Sequence, residues 1–188
     1  SFVAMFSAVA AVLMLLEIPL FFAPSFYKMD LSELPVLICA FYLGPVSGVV
    51  CELVKVILKL LMKGTTTAFV GDFANFAVGC SFVLPAAIVY RWHKTRKGPI
   101  AALALGTAVM TVFGSLFNAW FLIPKFAQLY GAPLEAIIAM GAQVNARITD
   151  VWSLVALAVV PFNLVKGTLV SLLTFFLYKR VERLIFRR

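Results

Sequence analysis

Charged residues are scarce in this sequence. Asp, Glu, Lys and Arg make up 13% of the 188 residues, whereas 63% are hydrophobic and the mean hydropathy is +1.04. Soluble domains carry about a quarter charged residues. A chain of this size cannot enclose so many apolar side chains, because a small fold keeps a large surface for its volume. The composition therefore predicts an all-α integral membrane protein.

Residue types used in catalysis and metal binding are also scarce. The single histidine, His93, lies in a basic stretch where we expect it to be solvated. Cys39, Cys51 and Cys80 lie in apolar runs without CxxC spacing, which indicates buried free thiols rather than disulfides or a zinc site. The sequence has no GxxxxGK[ST], HExxH or GxSxG motif. We therefore expect no enzyme activity, no catalytic residues, no metal and no cofactor.

The basic residues lie mainly in two short clusters beside apolar runs. The net charge is +8 and the isoelectric point about 9.7, values that in a soluble protein would suggest a nucleic-acid partner. The stacking aromatics and the single basic face of such a protein are missing. Basic clusters beside apolar spans are typical of cytoplasmic loops. The clusters are Arg91, Lys94, Arg96 and Lys97, and Lys179, Arg180, Arg183, Arg187 and Arg188.

Apolar runs predict six membrane spans in one membrane domain, residues 1–188. A helix needs roughly 20 residues to cross a bilayer. The predicted spans cover residues 2–22, 33–44, 45–62, 69–90, 99–123 and 152–178, and Gly44-Pro45 separates the second from the third. Residues 124–151 are expected to form a long loop with a short helix. The first run has no basic region before it and no cleavage site after it, so we expect a retained helix.

An even number of spans places both termini on one side of the membrane. The basic clusters predict that this side is the cytoplasm.

Polar residues within the predicted spans indicate a binding pocket. Asn163 and Lys166 lie three residues apart on one face of the sixth span, and Asn118 lies late in the fifth. Such side chains are costly in a bilayer unless they face a cavity or a partner. Together they suit a small, flat ligand with a polyhydroxyl tail. Alternatively, Lys166 pairs with a buried acid such as Glu17 or Asp72, and the asparagines only join helices.

Three further patterns are weaker signals. Glu52, Lys55 and Lys59 follow one face of the third span, where an intrahelical ion pair is expected. Gly64 is followed by three threonines, Thr65, Thr66 and Thr67, in an outward loop. Ala4 and Ala8 form a small-xxx-small pair of the kind that permits close helix packing in membranes.

Several of these segments resemble one known family. They are MDLSELP at 29–35, LGPVSG at 43–48, ELVK at 52–55, GTTT at 64–67, DFANF at 72–76 and PFNLVKG at 161–167. Together they resemble the riboflavin-binding S components, the RibU family, of energy-coupling factor (ECF) transporters. The resemblance covers nearly the whole chain, and the GTTT and PFNLVKG segments in this order are its most specific parts.

The resemblance implies a fold and a ligand site. The fold would be the six-helix S-component bundle, in the plasma membrane of a prokaryote, with riboflavin held near the outer face. Asn118, Asn163 and Lys166 would hydrogen-bond the ribityl chain and the ring edge. The loop from Thr65 to Thr67, Thr66 included, would lie beside the isoalloxazine ring.

The resemblance also implies a gate and partners. Lys28, Met29 and Asp30 would belong to a loop that closes over the ligand. Ala4 and Ala8 would contact the transmembrane coupling subunit, and two ATPase subunits would supply the energy.

Two other functions stay open on the sequence. One is an S component for another vitamin, such as thiamine. The other is a stand-alone secondary transporter, for which the sequence shows neither an internal repeat nor an evident pair of intramembrane carboxylates.

Overall fold

The structure is a computed structural model that describes residues 1–95 and 97–185. Three members of the predicted basic clusters, Arg96, Arg187 and Arg188, lie outside the described residues. The described chain is almost entirely helical, as the composition predicts. Its helices are α1 (Phe2–Leu15), α2 (Glu33–Leu43), α3 (Pro45–Lys63), α4 (Val70–Trp92), α5 (Gly98–Phe117), α6 (Ile123–Leu129), α7 (Leu134–Val144), α8 (Val151–Leu154) and α9 (Val160–Ile185).

Helix α1 ends seven residues before the end of the predicted first span. Residues 16–32 instead form a connection in which two short strands, β1 (Ile18–Pro19) and β2 (Lys28–Met29), pair antiparallel. The predicted span 2–22 is therefore too long as a helix. The hydrophobic run continues beyond Leu15, but Pro19 cannot donate a backbone hydrogen bond and Glu17 bonds lysines instead.

Helices α2 and α3 are separated at Gly44, as predicted. Gly44 has φ 101° and ψ 170°, a conformation that is essentially restricted to glycine. Pro45 then occupies the first turn of α3, where its missing N–H removes no helical hydrogen bond. Gly64 ends α3 in a similar conformation, with φ 71° and ψ −165°.

Two long helical segments contain a π-helical turn. Residues 118–122 join α5 to α6, and residues 155–159 join α8 to α9, which gives continuous helices of 32 and 35 residues. Each π segment ends two residues before a proline, Pro124 or Pro161. A proline lacks the N–H and crowds the carbonyl four residues before it, and a wider turn accommodates both effects.

The fifth helical segment therefore continues past the predicted end at 123 to Leu129. The short helix predicted within residues 124–151 is present as α7.

The helices pack as one bundle that suits a membrane. Helix α4 packs between α3 and α5, and α9 packs against α5 and α2. Three helical segments are long and apolar enough to cross a membrane: Val70–Trp92, Gly98–Leu129 and Val151–Ile185. Three shorter helices, α1, α2 and α7, are also apolar.

Candidate ligand-binding site

A cavity of about 430 Å³ opens at one end of the bundle. The end of α1, the 16–32 connection, the end of α3, the start of α4, the π turn after α5 and the first turns of α9 surround it. Its wall combines aromatic rings with amide, carboxylate and ammonium groups. The polar and aromatic residues on it include Tyr27, Lys28, Asp30, Glu33, Lys59, Thr66, Thr67, Asp72, Asn75, Asn118, Phe126, Phe162, Asn163 and Lys166.

Asn163 offers this cavity an unused donor. Its side chain is 4% exposed, and its Nδ2 atom has no hydrogen-bond partner among the described residues. Gly114 on α5 leaves the space for it, since a Cβ atom at Gly114 would lie 2.9 Å from Nδ2. A buried donor without an acceptor costs about 1–3 kcal/mol. A ligand acceptor at this point of the cavity would recover that cost.

Asn118 is held from two sides. Its Oδ1 atom accepts a hydrogen bond from the Tyr27 hydroxyl at 2.6 Å, and its Nδ2 atom donates to the Gly114 carbonyl at 2.7 Å. Burial raises the pKa of Tyr27, so the hydroxyl remains a neutral donor. The Tyr27 ring lies 5.6 Å from the Phe162 ring, centroid to centroid. The connection between α1 and α2 thus places an aromatic side chain over Asn118.

Lys166 lies between two carboxylates. Its ammonium nitrogen is 3.1 Å from Glu33 Oε2 and 3.5 Å from Asp30 Oδ2. The alternative interpretation of the sequence, that Lys166 pairs with a buried acid, is confirmed, but the acids are Asp30 and Glu33 rather than Glu17 or Asp72. Asp30 belongs to the connection and Glu33 to the first turn of α2, so Lys166 ties both to α9.

A second buried lysine extends this charged cluster into α3. Lys55 is fully buried, pairs with Glu52 one turn earlier, and lies 3.5 Å from Glu33 Oε1. It also donates to the Ser32 hydroxyl at 3.1 Å. The predicted intrahelical pair of Glu52 and Lys55 is confirmed. The meeting of two buried carboxylates, Glu33 and Glu52, at one lysine is not visible in the spacing of the sequence.

Lys59, the third residue of the stripe on α3, forms its hydrogen bonds outside that helix. Its ammonium group donates to Asp72 Oδ1 at 2.6 Å and to the Gly64 carbonyl at 3.2 Å. The lysine therefore joins the end of α3, the threonine loop and the start of α4 at the cavity.

The mouth of the cavity carries an exposed ion-pair group. Glu17 accepts from Lys28 at 2.8 Å and from Lys63 at 3.0 Å. The hydrogen bond from Lys28, together with Lys63, outweighs partial burial and lowers the pKa of Glu17. These pairs join the connection to the end of α3.

Two acceptors on the cavity wall were missed by the sequence analysis. Asp72 Oδ2 and Asn75 Oδ1 are buried and have no hydrogen-bond partner among the described residues. They lie three residues apart in the first two turns of α4, so that both face the cavity. The same spacing that drew attention to Asn163 and Lys166 could have found them.

The predicted threonines and gate residues divide between two roles. Thr66 and Thr67 line the cavity, whereas the Thr65 hydroxyl accepts from the backbone N–H groups of Thr67 and Phe69. Lys28 and Asp30 line the cavity as well. Met29 is buried in an apolar cluster instead.

Comparison with known proteins identifies the family. A family model described as "ECF transporter, substrate-specific component" matches residues 2–178. The chain belongs to this family. Over 99% of its length this S component is also similar to a solved structure titled "Structure and mechanism of the S component of a bacterial ECF transporter". The TM-score is 0.75, the sequence identity 33%, and 96% of the solved chain is covered.

Curated relatives of this S component carry transporter names. The chain is 32% identical over 170 residues to "Riboflavin transporter FmnP" of Bacillus subtilis (strain 168), covering 90% of this chain and 84% of the relative. It is 32% identical over 185 residues to "Riboflavin transporter RibU" of Staphylococcus aureus (strain TCH60), covering 98% and 90%. The predicted family is confirmed.

Ala4 and Ala8 lie on the exposed face of α1 in this S component, while Ser7 and Ala11 face the bundle. The predicted contact with a coupling subunit stays a prediction, and its two alanines are on the accessible side.

Proposed function

We propose that this S component binds riboflavin in the cavity and delivers it to an ATP-driven importer. The observation that carries the proposal is the unpaired Asn163 Nδ2 in the wall of a 430 Å³ cavity that Lys166 also lines. The names of relatives that are 32% identical over most of the chain supply the ligand.

The chemistry of the wall matches the two halves of riboflavin. The flat isoalloxazine ring needs apolar and aromatic surfaces, and Tyr27, Phe126 and Phe162 line the cavity. The ring carbonyls accept hydrogen bonds, which Asn163 Nδ2 and Lys166 can donate. The ribityl hydroxyls donate as well as accept, and Asp72 Oδ2 and Asn75 Oδ1 are free acceptors among the described residues. Each of these three unpaired atoms of the cavity wall thus has a complementary ligand group.

Lys166 gives the site a link to its gate. An ammonium group has three donors, and the contacts with Glu33 and Asp30 occupy two directions. A third donor can reach the ligand while Asp30 keeps the connection in place. Lys28, Met29 and Asp30 are therefore proposed as gate residues. Thr65 would act by shaping the threonine loop, and Thr66 and Thr67 by contacting the ligand.

The proposal includes a membrane arrangement and partners. The spans would be α1, α2, α3, α4, the α5–α6 segment and the α8–α9 segment, with both termini in the cytoplasm of a prokaryotic cell. The exposed Ala4 and Ala8 would contact a transmembrane coupling subunit. Two ATPase subunits would hydrolyse ATP, since the sequence has no Walker A motif.

The test is riboflavin titration of the detergent-purified protein, followed by flavin fluorescence, with an Asn163→Leu variant. Leucine keeps the approximate size of asparagine but removes the donor, for which the described residues offer no acceptor. We expect stoichiometric quenching for the wild type and an affinity loss of about 10- to 100-fold for the variant. Ser115→Ala is the matched control, because its buried hydroxyl is also unpaired but does not line the cavity. Its affinity should be unchanged.

If the wild type neither co-purifies with flavin nor binds it on titration, riboflavin is ruled out as the ligand. Titration with thiamine and other vitamins would then identify the S component's cargo. Uptake into vesicles without any ATPase would instead support a stand-alone transporter.

A further inference from the structure

A second cavity lies at the opposite end of the bundle from the ligand site. It has a volume of about 260 Å³ and is lined by Ala40 to Gly44, Arg91 and Lys94. Helix α4 runs between the two sites, because its first turns border the ligand cavity and Arg91 is in its last turn. A helix of 23 residues is about 34 Å long, enough to cross the roughly 30 Å hydrocarbon core of a bilayer. The second cavity therefore lies at a membrane surface.

One wall of this cavity comes from the end of α2 and Gly44, and the other carries two cations. The break between α2 and α3 forms the first wall, and Gly44 has no side chain to fill it. The Arg91 Nη1 atom would be 3.7 Å from a Cβ atom placed on Gly44. Within residues 1–95 and 97–185, neither Arg91 nor Lys94 forms a hydrogen bond or an ion pair with an acid.

Charge at this end of the molecule strongly favours an anion. The described residues 91–95, 97 and 178–185 contain six lysines and arginines and a single acid, Glu182. That acid accepts a hydrogen bond from the Tyr42 hydroxyl at 3.2 Å. Trp92, next to Arg91, is 76% exposed. Exposed tryptophan beside basic residues is typical of the level of the lipid headgroups.

We propose that this cavity binds the phosphate of an anionic phospholipid headgroup, with Arg91 and Lys94 as its ligands. Arginine offers a planar set of donors that matches phosphate oxygens, and lysine adds a second charge. Basic pockets between membrane helices at the headgroup level are suited to such lipids.

The test is lipid binding to the purified protein by native mass spectrometry, with phosphatidylglycerol and phosphatidylcholine as probes. We expect preferential binding of phosphatidylglycerol. The Arg91→Gln/Lys94→Gln variant should lose roughly 30-fold in affinity for it, since each cation near a membrane surface contributes about a factor of five to ten. Lys97→Gln/Arg180→Gln is the matched control. It removes the same charge from the same end without touching the cavity, and it should retain its affinity within about threefold.

Three results would overturn the proposal. Equal losses of phosphatidylglycerol affinity in the two double variants would mean that lipid binding depends only on the overall charge. Inorganic phosphate that displaces the lipid at equal concentration would identify free phosphate as the ligand. A double variant that keeps lipid affinity but loses binding to a coupling subunit would assign the cations to a protein interface. Thermal midpoints in zwitterionic micelles establish that each variant is folded.

Discussion

At the scale of single residues, Lys55 is the charge on which the interior depends most. It is fully buried and contacts Glu33, Glu52 and Ser32. These ion pairs form a cluster of three carboxylates, on Asp30, Glu33 and Glu52, and two ammonium groups, on Lys55 and Lys166. Lys55→Met would leave these carboxylates with Lys166 alone. Removing one partner of a buried pair typically destabilises a protein by about 3–5 kcal/mol.

We therefore expect Lys55→Met to lower the midpoint of unfolding in mild detergent sharply. Lys55→Met/Glu52→Gln should recover most of the loss, because one carboxylate is removed together with its partner and the excess of carboxylates returns to one. A double variant no more stable than the single variant would contradict this account. Leu61→Met, at an exposed position of the same helix, serves as the control for handling and detergent.

The residues of the site differ in how far the sequence predicts them. A lysine and an asparagine inside an apolar run stand out, because a bilayer tolerates them only for a reason. Asn163 and Lys166 were found in this way. Their partners were not, since the pairing of Lys166 with Glu33 joins residues 133 positions apart. Asp30 was expected in the gate loop and Glu33 at the start of the second span, and the sequence did not indicate that both are buried.

At the scale of elements, the two ends of α3 depend on glycine. Gly44 and Gly64 both have positive φ with extended ψ, a region in which a Cβ atom clashes with the backbone. We expect Gly44→Ala and Gly64→Ala each to destabilise the fold by about 1–3 kcal/mol. Gly64→Ala should also weaken riboflavin binding, because Gly64 sets the direction of the threonine loop. Thermal unfolding and flavin titration measure the two effects.

A useful control for these variants is Gly131→Asn. Gly131 has φ 58°, a left-handed conformation that asparagine tolerates, and no atom lies within 4 Å of the position of its Cβ. It should unfold at nearly the wild-type temperature. Equal losses at Gly131 and Gly44 would show that the backbone conformation of Gly44 is not the cause.

Element boundaries were predictable where a backbone rule applies. Gly-Pro at 44–45 divides two helices because proline starts a helix and the glycine before it can turn the chain. The end of α1 at Leu15 was harder to predict, since Pro19 disfavours a helix but the apolar run continues to Phe22. The connection leaves the helix because Tyr27, Met29 and Asp30 find partners on the π turn after α5, the apolar cluster and α9. Only the folded chain brings those partners together.

At the scale of the whole molecule, hydrophobicity predicted the class of fold, and charge supports its orientation. The ligand cavity lies at the end of the bundle where α1 and α3 end. The described members of the basic clusters lie at the other end, around the end of α4, the start of α5 and the end of α9. The cavity end carries acids as well as lysines, so the two ends differ in charge. This polarity supports cytoplasmic termini because positively charged loops remain on the cytoplasmic side.

Membrane orientation is testable with single cysteines and a membrane-impermeant maleimide. The native thiols of Cys39 and Cys51 are buried and that of Cys80 is half-buried, so the wild type gives the background. Gln128→Cys and Glu135→Cys, both exposed near the ligand cavity, should react in intact cells. Lys97→Cys and Arg180→Cys should react only after permeabilisation. Reaction of Arg180→Cys in intact cells would contradict an even number of spans with a cytoplasmic C-terminus. Reaction of all four positions from one side would contradict the proposed crossing by α4, since this helix separates the two ends by a full membrane thickness.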